Sequence, residues 1–213
     1  VYVCWADYTN GSLPEQGLGF VRSLDGGQNF TAPAIVISYT GIRNALGGQP
    51  EFGNTRVNSF PSMAVDKSNG PRSGRIYVAF AARENGTGKA IIQVSWSDNQ
   101  GTSWSAPLTV SIPNGTQSWF PWITVDASTG LIYVVYYSFD QPTGFSTNTY
   151  VATSNDGGAT FSNQKVSSVA HTTATIQPFL YGYAGDTLVL LPMAGRLILP
   201  GWITEQANGK IML

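Results

Sequence analysis

Three times along the chain the same octet recurs: "SLDGGQNF" at 23–30, "SDNQGTSW" at 97–104 and "SNDGGATF" at 154–161. Each follows a run of β-branched and aromatic residues, and each is followed by another. A chain that returns to one turn chemistry at long intervals builds the same supersecondary unit more than once, so this repeat constrains the fold more than any total does.

The octet carries the groups a tight reversal needs. Its third residue (Asp25, Asn99, Asp156) can accept hydrogen bonds from nearby backbone N–H groups in an Asx-type turn. Its fifth (Gly27, Gly101, Gly158) can take φ > 0 without a Cβ clash. The serine at position one (Ser23, Ser97, Ser154) offers a short hydroxyl bond. The closing aromatic (Phe30, Trp104, Phe161) is expected to fold back over the turn and bury its ring. Asn99 in the second copy favours a turn over a hard-cation site, since an amide serves a turn but removes a charge from a metal.

Around the octets the strand-like runs come in fours. "FPSMAVDKSNG", "GRIYVAFAARENG", "KAIIQVSWSDNQGTSW" and "APLTVSI" form one set. "FPWITVDASTG", "LIYVVYYSFDQPTG", "NTYVATSNDGGATF" and "NQKVSSV" form the next. Ser97 to Pro121 and Ser154 to Pro178 are both 24 residues. With 24 Gly, 12 Pro and only 11% charged residues, the composition suits short strands and tight turns rather than helices. The expectation is an all-β chain, a β-propeller of four-stranded antiparallel blades, with strands a to d and the octet at the c–d turn. Two blades are complete, at about 60–113 and 119–170. Two are incomplete, at about 1–40 and 176–213, and a loop is inserted at 41–59.

The pattern S-x-[DN]-x-G-x-x-[FW] is the Asp-box, or BNR repeat, and in these three octets the chain resembles the sialidase-like Asp-box propellers. That resemblance implies an extracellular, carbohydrate-related protein, and for sialidases proper it implies three arginines gripping a carboxylate, a Tyr–Glu nucleophile pair and an Asp acid/base. The F/Y-R-I-P segment of that family has no counterpart here; "TGIRNA" and "GNTRVN" lack both its aromatic and its proline. No catalytic residue is therefore assigned, and enzyme status stays open.

In an a-b-c-d meander the a–b and c–d turns share one rim, while b–c turns and d–a connections share the other. Any site is expected on the rim away from the octets. The b–c ends place acids at Asp7, Glu84, Asp140 and Glu205, with Arg83 beside Glu84. The d–a connections add Arg43, Glu51, Arg56, Trp119 and His171, and the 41–59 insertion is expected to overhang this rim. Arg43, Arg56, Arg83, Glu84, Trp119, Tyr137, Asp140 and Glu205 are the ligand-binding candidates, with Trp119 or Tyr137 stacking on a sugar. Arg72 and Arg75 belong to an a–b turn on the octet rim, and Arg22 lies in strand c beside its octet.

Other chemistries find little footing. Lys+Arg 11 against Asp+Glu 12 indicates no nucleic-acid partner. One histidine and one cysteine cannot form a zinc site alone, and neither a metal nor a cofactor is expected. Cys4, in the apolar run "VYVCW", reads as packing. No apolar run approaches the ~18 residues of a membrane span. The chain opens directly in a β-patterned run and carries four N-x-S/T sequons (Asn10, Asn29, Asn85, Asn114), so the expectation is part of a larger secreted or cell-surface protein. Its expected partners are a glycan or cell-surface polysaccharide and the remaining blades of the parent protein or a neighbouring chain. An exo-glycosidase of the sialidase type, or self-assembly through open blade edges, are the alternatives to a binding or scaffold module.

Overall fold

The computed structural model describes residues 1–113, 117–139, 141, 144–172, 175–176, 181–182, 191–193 and 196–198. Three antiparallel sheets dominate. The first orders β1 (Tyr2–Asp7), β2 (Gly17–Arg22) and β3 (Ala34–Ser38). The second orders β4 (Ser62–Val65), β5 (Ile76–Arg83), β6 (Ala90–Ser97) and β7 (Leu108–Thr109). In the third, β8 (Gln117–Val125), β9 (Ile132–Phe139), β10 (Thr147–Ser154) and β11 (Ser162–Lys165) follow in sequence. Beyond them two short pairs are described: β12 (Thr175–Ile176) with β13 (Tyr181–Gly182), and β14 (Leu191–Met193) with β15 (Arg196–Ile198).

Each sheet of four runs in simple meander order, because a short turn can join only neighbouring antiparallel strands. Burial grades across it. "IYVAFAA" of β5 is buried throughout, as a continuous apolar run between two covered faces should be. The outer strand β11, "SNQK", is wholly exposed, and its polar residues keep that edge from recruiting other chains.

The sheets pack face to face in sequence order. Leu18 and Ile37 of the first meet Val78, Phe80 and Ala82 of the second, and Tyr39 stacks on Phe80 at 4.7 Å. A larger cluster joins Tyr77, Ala79, Ile92 and Val94 to Trp119, Ile123, Val134 and Tyr136 of the third. β8 bulges between Trp119 and Trp122, with Phe120 at φ 51°, so Trp119 and Phe120 both turn inward although they are neighbours.

The three octets close the β2–β3, β6–β7 and β10–β11 turns with one hydrogen-bond scheme. The serine hydroxyl donates to position three (Ser23 to Asp25 2.6 Å, Ser97 to Asn99 3.0 Å, Ser154 to Asp156 2.8 Å) and accepts from the position-five N–H (2.8, 2.8 and 2.9 Å). Position three also accepts the N–H of position seven, Asn29, Ser103 or Thr160. These bonds stabilise the ionised carboxylates. The hydroxyl of Ser23 and the Asn29 backbone hold the Asp25 pKa well below the usual range, and the hydroxyl and N–H of Thr160 do the same for Asp156.

Two expectations need correction here. Phe30 does not bury its ring; it is 45% exposed, whereas Trp104 lies edge-on to Phe20 at 5.3 Å and Phe161 packs on the main cluster. The difference is a neighbour: the rings that bury reach the sheet before them. Second, the 41–59 insertion meets the rim away from the octets but is not a loose surface loop. Its apolar residues Ile42, Phe52 and Val57 are fully buried in the main core, because leaving such side chains in water costs about 1.5–3 kcal/mol each. Arg22 ends β2 beside its own octet, as expected, and its guanidinium reaches the next one, donating to Asn99 O, Gln100 O and Thr102 Oγ1.

Candidate functional site

On the side away from the octets, the β1–β2 hairpin, the 39–61 connection and the β5–β6 turn meet. Their centre is Glu15, a fully buried carboxylate. Its Oε1 accepts from the Tyr8 hydroxyl (3.0 Å) and the Ser59 N–H (2.9 Å), and its Oε2 accepts from the Arg43 N–H (3.1 Å). Gly41 lies so close that a Cβ there would fall 2.3 Å from Oε2. A buried carboxylate persists only with such partners, so Glu15 ties both ends of the insertion to the hairpin.

Arg83 is a second tie. Its Nη2 donates to Glu51 (2.7 Å) and to Ile42 O (3.2 Å), its Nη1 donates to Gly88 O, and the guanidinium lies 5.6 Å over the Phe52 ring. Burial alone would raise the Glu51 pKa, but its own backbone N–H, Arg83 and Asn44 outweigh that and hold it below the usual value.

Arg43 differs. Half-buried beside Tyr8, it spends its side chain on Ala45 O at 3.4 Å, and among the described residues no carboxylate pairs with it. Burial and the Glu15 charge raise the Tyr8 phenol, while hydrogen bonding with Arg43 works the other way. The phenol is therefore protonated at neutral pH, a hydroxyl donor next to a guanidinium.

The candidates thus separate. Arg43 and Arg83 come together around the insertion, with Glu51 between insertion and sheet. Arg56 is half-buried on the insertion's return, where its N–H donates to Gly182 O. Glu84 stands in its own turn, accepting from Thr87, and lines a groove of about 470 Å³ between β7 and the third octet. Trp119 and Tyr137 cannot stack on a ligand: both are buried, Trp119 edge-on to Phe52 and Phe139, because the β8 bulge turns it into the core. His171 lies edge-on to Tyr137, its pKa lowered by burial. Asp140 and Glu205 lie outside the described residues. Tyr8 and Glu15 escape the sequence reading, since a hairpin tyrosine and glutamate look like any solvated turn pair. Cys4 packs against the smaller core cluster, and burial pushes its thiol up to about 11, so it is unreactive at neutral pH. Among the described residues no helix is long and apolar enough to cross a membrane.

Residues 74–212 match the model of the BNR repeat-like domain. The chain belongs to the BNR repeat-like family. Similar solved structures include the Hadza microbial sialidase Hz136, at 16% identity over 71% of this chain and 31% of that one, TM-score 0.49. A protein of unknown function from Dyadobacter fermentans shares 20% identity over 75% of this chain and 41% of that one, TM-score 0.47. A PL25 ulvan lyase shares 15% over 72% and 39%, TM-score 0.41. This BNR-repeat chain spans less than half the length of each. None of the curated proteins matches its sequence significantly.

Proposed function

We propose that the chain is a glycan-binding or scaffold module of a larger secreted or cell-surface BNR-repeat protein, its sheets arranged radially as propeller blades. Sequential face-to-face packing, and octets gripped by an arginine of the sheet before them, support the radial arrangement. The observation that carries the binding reading is Arg43 beside Tyr8, a guanidinium donor and a phenol oxygen whose own proton goes to Glu15, on the rim away from the octets. A guanidinium meets a sugar's carboxylate or hydroxyl oxygens, and a phenol oxygen can accept from a sugar hydroxyl. Isothermal titration against an array-selected acidic or neutral oligosaccharide tests this. Arg43→Ala and Tyr8→Phe should each weaken binding at least tenfold, and Arg75→Ala on the octet rim should leave it unchanged. Equal effects on both rims would refute the assignment.

The second reading is an exo-glycosidase of the sialidase type, and the Tyr8 hydroxyl donating to Glu15 is what favours it, since that chemistry uses a tyrosine with an adjacent carboxylate base. It requires release of the leaving group from a fluorogenic sialoside, lost in Tyr8→Phe. Turnover that survives Tyr8→Phe would exclude this pair as the nucleophile.

A further inference from the structure

The octets are not equivalent in what grips them. In the second, Arg22 of the preceding sheet donates to the position-four carbonyl, Gln100 O, at 2.9 Å, and the Phe20 ring lies where a Cβ on Gly101 would stand, 2.2 Å from that position. In the third, Arg75 of the preceding sheet donates to the equivalent carbonyl, Gly157 O, at 2.9 Å, and the Tyr77 ring borders Gly158. Guanidinium and ring stand two residues apart in both cases: Phe20 and Arg22 leave the same face of β2, and Arg75 immediately precedes β5, which carries Tyr77. The φ > 0 shared by Gly26, Gln100 and Gly157 gives all three position-four carbonyls the same backbone setting. Yet in the first octet the Gly26 carbonyl accepts from no other sheet among the described residues, Gly27 faces only Val1, and Phe30 stays exposed.

The face of the sheet behind that octet repeats the contrast. Strand pairing relative to the octet serine makes Val1 equivalent to Ile76 and Ile132, and Val3 equivalent to Val78 and Val134. The four residues of the second and third sheets are fully buried, whereas Val1 is 57% and Val3 43% exposed. Ile35, which shares the Val3 face through Val21 and Gly19, is exposed too. Val78 is covered by a neighbouring sheet's Leu18 and Ile37.

We propose that this free face and the first octet together form the docking surface for one further sheet of the same repeat type from the same polypeptide, which lays a ring over Gly27 and a guanidinium on the Gly26 carbonyl. The inference rests on the propeller reading above and adds which face closes and by what chemistry. The test compares Val3→Lys and Phe30→Ala in the 213-residue chain and in the polypeptide extended to its neighbouring repeats, reading Tm. In the 213-residue chain both should shift Tm by under about 2 °C, as at an exposed site. In the longer polypeptide each should lower it by roughly 4 °C or more. Where Val3→Lys fails to fold there, Val3→Ala gives a graded shift. Equal shifts in both contexts overturn the proposal. So does a 213-residue chain that sediments as a dimer dissociated by Val3→Lys, since a second copy would then occupy the face. Loss of glycan binding with these shifts intact sinks the ligand reading alone.

Discussion

The two rims of the molecule are held by opposite strategies. On the octet rim each turn closes itself by local, repeated ties: a serine, an Asx residue and backbone N–H groups within eight residues. Arg22 and Arg75 add a grip on the second and third octets from the sheets before them. On the other rim one buried carboxylate, Glu15, and one insertion join residues far apart in sequence, with Ser59 standing 44 positions from Glu15. Repetition makes the first rim tolerant, because each octet survives the loss of a neighbour's contact. The second rim has no spare copy. Its strength and its chemistry depend on the same few residues.

Substitutions can break this contrast, and the largest effect belongs to the insertion. Phe52→Ala removes a fully buried ring packed on Trp119 and should cost about 3–5 kcal/mol by urea unfolding; a loss near zero would mean that the insertion is not core. Glu15→Ala strands the N–H groups of Ser59 and Arg43, and a loss of about 2–3 kcal/mol is expected. On the octet rim Arg75→Ala deletes bonds to Asp98 and to Gly157 O, and calorimetry should register only about 1 kcal/mol.

The smallest effect is a pH dependence that sharpens the comparison among the octets themselves. Asp25 and Asp156 have folded pKa values below their unfolded ones, so they add stability that is fully present above the unfolded carboxyl value and is lost as pH falls through it toward the folded value. The loss should begin as pH drops below about 4. Asn99, holding the same place in the second octet, cannot titrate. Asp25→Asn with Asp156→Asn should therefore flatten the Tm profile between about pH 4 and pH 2, and Asn99→Asp should steepen it.

Much of the first rim was legible in the chain. Strand runs and octets depend on contacts within one hairpin, so the residue types at their spacing already carry the turn. The second rim was legible only in outline: Arg43 and Arg83 were placed on it, but Trp119 read as a surface aromatic because nothing local reveals the β8 bulge. Glu15 gave no signal at all, since its partners are a tyrosine across the hairpin and two backbone amides on another connection.

From residue order alone came the repeat, the all-β class and the chemistry that closes each c–d turn, because hydrogen bonds across a few residues are the same wherever the turn sits. Tertiary packing decided the rest: which arginine grips which carbonyl, which aromatic is core, and that a polar-looking insertion hides three apolar anchors. Those outcomes turn on what lies opposite each side chain once sheets stack, and burial, unlike a turn, is a property of two surfaces rather than one.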